Sequence, residues 1–145
     1  MKTLTNTIAL LLLLGAVACQ QKHDHAHDDV EDGPNKALYD EVMDVHNEVM
    51  PRMDDLYKAK TTLQTRLAMP GLGEKEKEDI SSKIARLDSA SEGMMVWMRQ
   101  FEPLADSVGE EKARTYLEAE LVKVKKVRED IQEALEATAA EKSTQ

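Results

Sequence analysis

The chain has 145 residues, a formal net charge of −9 and only 3% aromatic residues. That acidity excludes nucleic acid and anionic lipid headgroups as partners held by charge. A single cysteine excludes an internal disulfide, and with so few rings a core must be built from aliphatic side chains and methionine.

The first element is a secretory leader. Met1 and Lys2 make a short positive start, residues 8–14 form an unbroken apolar run, and the small residues Gly15, Ala16 and Ala18 precede Cys19. The run is too short and wrongly flanked for a spanning helix, and the layout predicts a lipoprotein signal peptide over 1–18. Ala16-Val17-Ala18-Cys19 is a loose lipobox, with Ala where Leu is commoner at the first position. Cys19 is therefore the expected lipidation site, its sulfur carrying diacylglycerol after cleavage. A lone exported thiol has no disulfide partner and would otherwise be a liability. Loss of Lys2 with the leader takes the formal charge to −10, so membrane attachment must come from acyl chains.

Residues 19–35 follow as a lipidated cysteine and a polar, densely charged tether that offers almost nothing to a core. His23, His25 and His27 alternate with Asp24, Ala26 and Asp28, and imidazoles two residues apart can chelate zinc, copper or nickel. A solvated spacer, or a sorting signal read after the cysteine, accounts for the same residues. Gly33-Pro34 closes the tether and Asn35 is the expected N-cap of a helix.

The spacing predicts an all-α domain over 36–138, an elongated, coiled-coil-like antiparallel bundle of three helices near 36–69, 75–101 and 108–138. In the first helix Leu38, Val42, Val45, Val49 and Leu56 advance in steps of four and three, broken by Arg52. A second stripe runs one residue further on through Tyr39, Met43, His46, Met50, Met53 and Tyr57. Two adjacent stripes make an apolar face wide enough for two neighbours. Pro51 should kink this helix, since it has no N–H and its ring crowds the carbonyl of Asn47. Pro70-Gly71-Leu72-Gly73 is a stop. The second helix carries Ile80, Ile84, Leu87, Ser91, Met94, Met98 and Phe101 at the same spacing, and Glu102-Pro103 ends it. Ser107 with Glu110 reads as a capping box for the third helix, whose inward residues are Leu117, Leu121, Val124, Ile131 and Leu135. Residues 139–145 should fray. At about 1.5 Å per residue such helices make a rod roughly 40–50 Å long, with no roomy cleft.

Catalytic motifs are missing: there is no G-x-S-x-G, H-E-x-x-H, P-loop or dinucleotide-binding glycine pattern. The carboxylates are interleaved with lysines, as in residues 74–78, the pattern of a solvated helix face. An enzyme is not expected.

The one constellation with metal chemistry lies in the bundle. Met43, His46, Met50 and Met53 stand three, four and three apart, and the second helix carries Met94, Met95, Trp97 and Met98. Folding about a turn near 72–73 sets residue n level with roughly 145 − n, so 94 falls beside 51 and 98 beside 47. Thioethers with one imidazole suit Cu(I), which Trp97 would cover with its π face. Packing explains the same residues, because methionine fills irregular gaps and sulfur–aromatic contact with Trp97 is favourable without metal.

Residues 39–56 (YDEVMDVHNEVMPRMDDL) and 94–101 (MMVWMRQF) resemble a group of small Bacteroidetes lipoproteins often labelled "viral A-type inclusion protein", a label that reflects coiled-coil similarity. The resemblance implies export, lipid attachment and a helical bundle, and supplies no catalytic residue. In that phylum an acidic stretch after a Gln-Lys pair near the lipidated cysteine can direct surface display. Gln21-Lys22 with Asp24, Asp28 and Asp29 is similar, but the intervening histidines depart from the pattern.

The expected function is thus a lipid-anchored, non-catalytic envelope lipoprotein, facing the periplasm or the outer-membrane surface, with a helical interaction or structural domain. Its expected partners are the membrane through Cys19, an envelope protein or a second copy of the chain. The alternatives are a Cu(I) or other metal-binding lipoprotein using the Met/His layer, and a periplasmic chaperone-like bundle, which would need an exposed methionine groove.

Overall fold

The computed structural model describes residues 33–139. The leader, Cys19, His23, His25, His27 and the tail beyond 139 lie outside the described residues. What is described is an all-α bundle: α1 (Lys36–Val49), α2 (Arg52–Leu67), α3 (Glu74–Gln100), a 3-10 turn (Asp106–Val108) and α4 (Glu110–Ala139).

The long first helix of the sequence reading is two helices, and Pro51 is the reason. Met50 (φ −52°, ψ −40°) and Pro51 (φ −61°, ψ −26°) stay in the right-handed helical region. The Met50 N–H still donates to His46 O, at 2.9 Å, but Met53 N–H reaches back only three residues, to Met50 O, at 3.1 Å. The chain therefore bends without unwinding, as an interior proline that cannot donate requires. The bend redirects the packing. Before it, α1 lies along α4; after it, α2 lies chiefly on α3 and less on α4.

Helix direction follows from cross-helix ion pairs. Lys60 pairs with Asp88 and Arg66 with Glu76, so α2 and α3 run antiparallel. Lys125 reaches Glu41 and Arg128 reaches Glu48, so α1 and α4 run parallel. These pairs are surface-exposed, and each contributes little to stability.

Asn35 is the N-cap of α1 as expected, its carbonyl accepting from the N–H groups of Leu38 and Tyr39, but its side chain is used elsewhere. It is buried, and its Nδ2 donates to Glu110 O at 3.1 Å, joining the start of α1 to the start of α4. Ser107 and Glu110 do not form the expected capping box. Ser107 belongs to the 3-10 turn, and α4 opens instead from Gly109, whose carbonyl accepts from the N–H groups of Lys112 and Ala113. Gly109 has φ +113°, a conformation that glycine adopts without a Cβ clash. Gly71, with φ +93°, turns the chain between α2 and α3 for the same reason.

The core is a seam along the bundle, with Tyr39 and Leu117 forming a small separate cluster at one end. On α3 it is Ile80, Leu87, Ala90, Met94 and Trp97; on α4 it is Ala113, Leu117, Glu120, Val124, Ile131 and Ala134. The α4 row, with half-buried Val127 filling its gap, alternates steps of four and three, the repeat of coiled-coil packing. Tyr39, Val42, Val45, Val49, Leu56 and Leu63 close the core from α1 and α2. No described helix is long and apolar enough to cross a membrane.

Candidate functional site

The predicted register holds at its most informative point. His46 of α1 meets Met98 of α3, with Nε2 3.4 Å from Sδ. The other ring nitrogen, Nδ1, lies 3.1 Å from Asn47 Oδ1. Both His46 and Met98 are half-buried.

Trp97 stands beside this pair, 5% exposed. Its ring centroid is 5.8 Å from that of His46, at 35°, and 4.8 Å from that of Phe101, at 24°. Phe101 in turn stacks with Tyr39 at 6.2 Å and Tyr116 at 6.3 Å. Four of the five Phe, Trp and Tyr residues therefore converge at one end of the bundle, and Tyr57 stands apart, exposed. The sequence reading missed this cluster. Tyr116 precedes the inward Leu117 by one position, and Phe101 is the last residue of the α3 stripe, so neither marks an aromatic cluster by itself. The signal was the spacing of Trp97 and Phe101, four apart and so on one helix face.

Tyr116 also fastens the chain after α3: the Glu102 N–H donates to its hydroxyl at 2.7 Å. Burial pushes the Tyr116 phenol above its ordinary value, opposed by that hydrogen bond and reinforced by the charge of Glu120. Trp97 is different. Its indole Nε1–H is buried and makes no hydrogen bond to any described residue, at a cost of about 1–3 kcal/mol for such a group.

The remaining methionines divide. Met94 is wholly buried, and Met50 and Met53 are half-buried against the same core as Met98. Met43 packs instead beside Tyr39 and Leu117, in a separate cluster. Met95 and Met69 face solvent. These two lie at opposite ends of the helical hairpin, on α3 and beyond α2, and form no common groove.

No family model, curated protein or solved structure matches the chain. The functional reading is carried by residues and geometry.

Elsewhere the surface offers a groove of about 530 Å³ between α2 and the end of α4, lined by Arg52, Lys58, Ala59, Leu63, Arg66 and Leu135. Its cations are already engaged, Arg52 with Asp55, Lys58 with Asp54 and Arg66 with Glu76. Among the described residues no three His, Cys, Asp or Glu side chains gather as a metal cluster.

Proposed function

We propose that the protein is a lipid-anchored, non-catalytic lipoprotein of the bacterial envelope, whose helical bundle is an interaction module held near the membrane. One observation carries the reading: the only cysteine of the chain stands where a positive start, an apolar run and small residues place the cleavage point of a lipoprotein leader. Two features support it. No described helix is long and apolar enough to cross a membrane, and acyl chains on Cys19 would supply the attachment. The described bundle is amphipathic and, Glu120 apart, carries its charges outside, many in ion pairs along and between helices.

The anchor also bounds where a partner can sit. Fully extended, the chain from Cys19 to Asn35 reaches no more than about 60 Å, and α4 adds about 45 Å at 1.5 Å per residue. The module therefore reaches protein partners within roughly 100 Å of the lipid surface, at about one tether and one bundle length.

Metabolic labelling with an alkyne palmitate analogue tests the reading, comparing the natural chain with Cys19→Ala in the same bacterium. Label on the natural chain and none on the variant is the expected result. An unlabelled natural chain, or equal labelling of both, would overturn it.

A further inference from the structure

The contact between His46 and Met98 has an unusual electronic character. Asn47 Oδ1 can only accept, so its 3.1 Å bond with His46 requires the proton to sit on Nδ1. In the neutral ring the lone pair is then on Nε2. That nitrogen faces the thioether of Met98, which also carries lone pairs and no proton. In that tautomer two electron-pair donors, from different helices, lie 3.4 Å apart. The arrangement suits an electrophile that binds both.

The chemistry of the donors selects that electrophile. Hard cations want oxygen ligands, and zinc sites are built from thiolate, imidazole and carboxylate. No described cluster of those side chains surrounds this contact. A neutral imidazole with a thioether fits Cu(I), which accepts soft sulfur and needs no anionic ligand. The distance fits as well. With metal–nitrogen and metal–sulfur bonds of about 2.0 and 2.3 Å, two corners of a tetrahedron lie about 3.5 Å apart.

The surroundings complete the picture. The Nδ1 bond to Asn47 fixes the ring and its tautomer, the role that outer partners play for metal-bound histidine. Met50 lies one turn beyond His46, and Met94 one turn before Met98. Both belong to the same core as Met98 and each shares a helix face with one of the two donors, so their flexible thioethers are the candidates for a third sulfur. The indole of Trp97 stands 5.8 Å from the His46 ring, close enough for its π face to cover an ion bound there. Because His46 and Met98 are half-buried, an ion can enter from solvent.

We propose that His46 Nε2 and Met98 Sδ are two donors of a Cu(I) site, completed by Met50 or Met94 and covered by Trp97. The site goes beyond membrane attachment and is independent of it. It gives the module a cargo, a soft monovalent ion taken up without change of oxidation state.

The test uses the full chain in detergent with Cys19, His23, His25 and His27 replaced by Ala, so that His46 is the only imidazole. Cu(I) is titrated anaerobically against bathocuproine disulfonate, while the fluorescence of the single tryptophan, Trp97, is followed. The expected result is one equivalent bound, with quenching complete at that point. Met98→Leu keeps the volume and removes the sulfur. It should weaken binding by at least about 100-fold, the upper end of what losing a mere outer-shell partner costs, and should abolish the quench. Met69→Leu, at an exposed sulfur elsewhere, should leave both unchanged. Should Met98→Leu fail to fold, His46→Gln carries the same comparison. A background chain that cannot compete for Cu(I), or a Met98→Leu or His46→Gln chain that binds as the background does, would overturn the proposal. Because Cys19 is absent throughout, neither outcome bears on the lipid anchor.

Discussion

Replacing Trp97 with Phe separates packing from hydrogen bonding at the centre of the aromatic cluster. The indole is 5% exposed, stacked on Phe101 at 4.8 Å, and its N–H is unsatisfied among the described residues. Phe keeps a ring in place but leaves a gap of roughly 40 Å³, worth about 1 kcal/mol at ~24 cal/mol per Å³. Roughly 40 Å² of lost apolar burial adds about another 1 kcal/mol. Removing a buried, unpaired donor returns about 1–3 kcal/mol. The net change should therefore lie within about 1 kcal/mol of zero, whereas Trp97→Ala should cost about 3–5 kcal/mol. Urea unfolding followed by far-UV circular dichroism measures both. A Trp97→Phe loss above about 3 kcal/mol, matching Trp97→Ala, would show that the indole N–H has a partner and refute the reasoning.

Other consequences follow from the seam and its titrating group. Leu87, 1% exposed in the middle of α3, should cost about 3–5 kcal/mol on truncation to Ala; Val122→Ala, at a site 70% exposed, should change stability by less than about 0.5 kcal/mol. Thermal melts of the two variants check the contrast, and equal melting temperatures would contradict the assignment of the core. Half-buried Tyr116 titrates above its ordinary value chiefly through desolvation, so the folded chain holds its phenolic proton more tightly than the unfolded chain. Its stability contribution is complete below the unfolded value of about 10 and is lost as pH rises through the folded value. Unfolding midpoints measured from pH 8 to 12 should fall more gently for Tyr116→Phe than for the natural chain. Parallel curves would count against burial as the cause.

The period of the apolar residues made the bundle legible, down to the level of His46 against Met98. Individual faces were less so. On α3 the sequence reading ran through Ile84, Ser91 and Met98, four residues after Ile80, Leu87 and Met94. The structure buries Ala90 and Trp97 fully and leaves the others half-buried. A small alanine gives little hydrophobic signal, and positions three and four along a helix share one side, so the choice between them depends on the neighbours. Glu120 was hidden for another reason. Its carboxylate occupies a seam position on α4 and is 3% exposed, yet its charge marks it as solvated when read alone. The Lys123 ammonium, 2.6 Å away at the edge of the bundle, gives that carboxylate a partner. The caps turned on tertiary contacts as well: Asn35 caps α1 through its carbonyl, but its side chain reaches across to α4, which no local pattern reveals. Pro51 was the reverse case, where one ring predicts a bend whatever surrounds it.

Intact-mass spectrometry of the protein isolated from bacterial membranes tests the lipoprotein assignment most directly. The mature chain should begin at Cys19 and carry the added mass of a diacylglyceryl group, with or without a third acyl chain. A leader still in place, or a chain starting near residue 19 with no acyl mass, would contradict it.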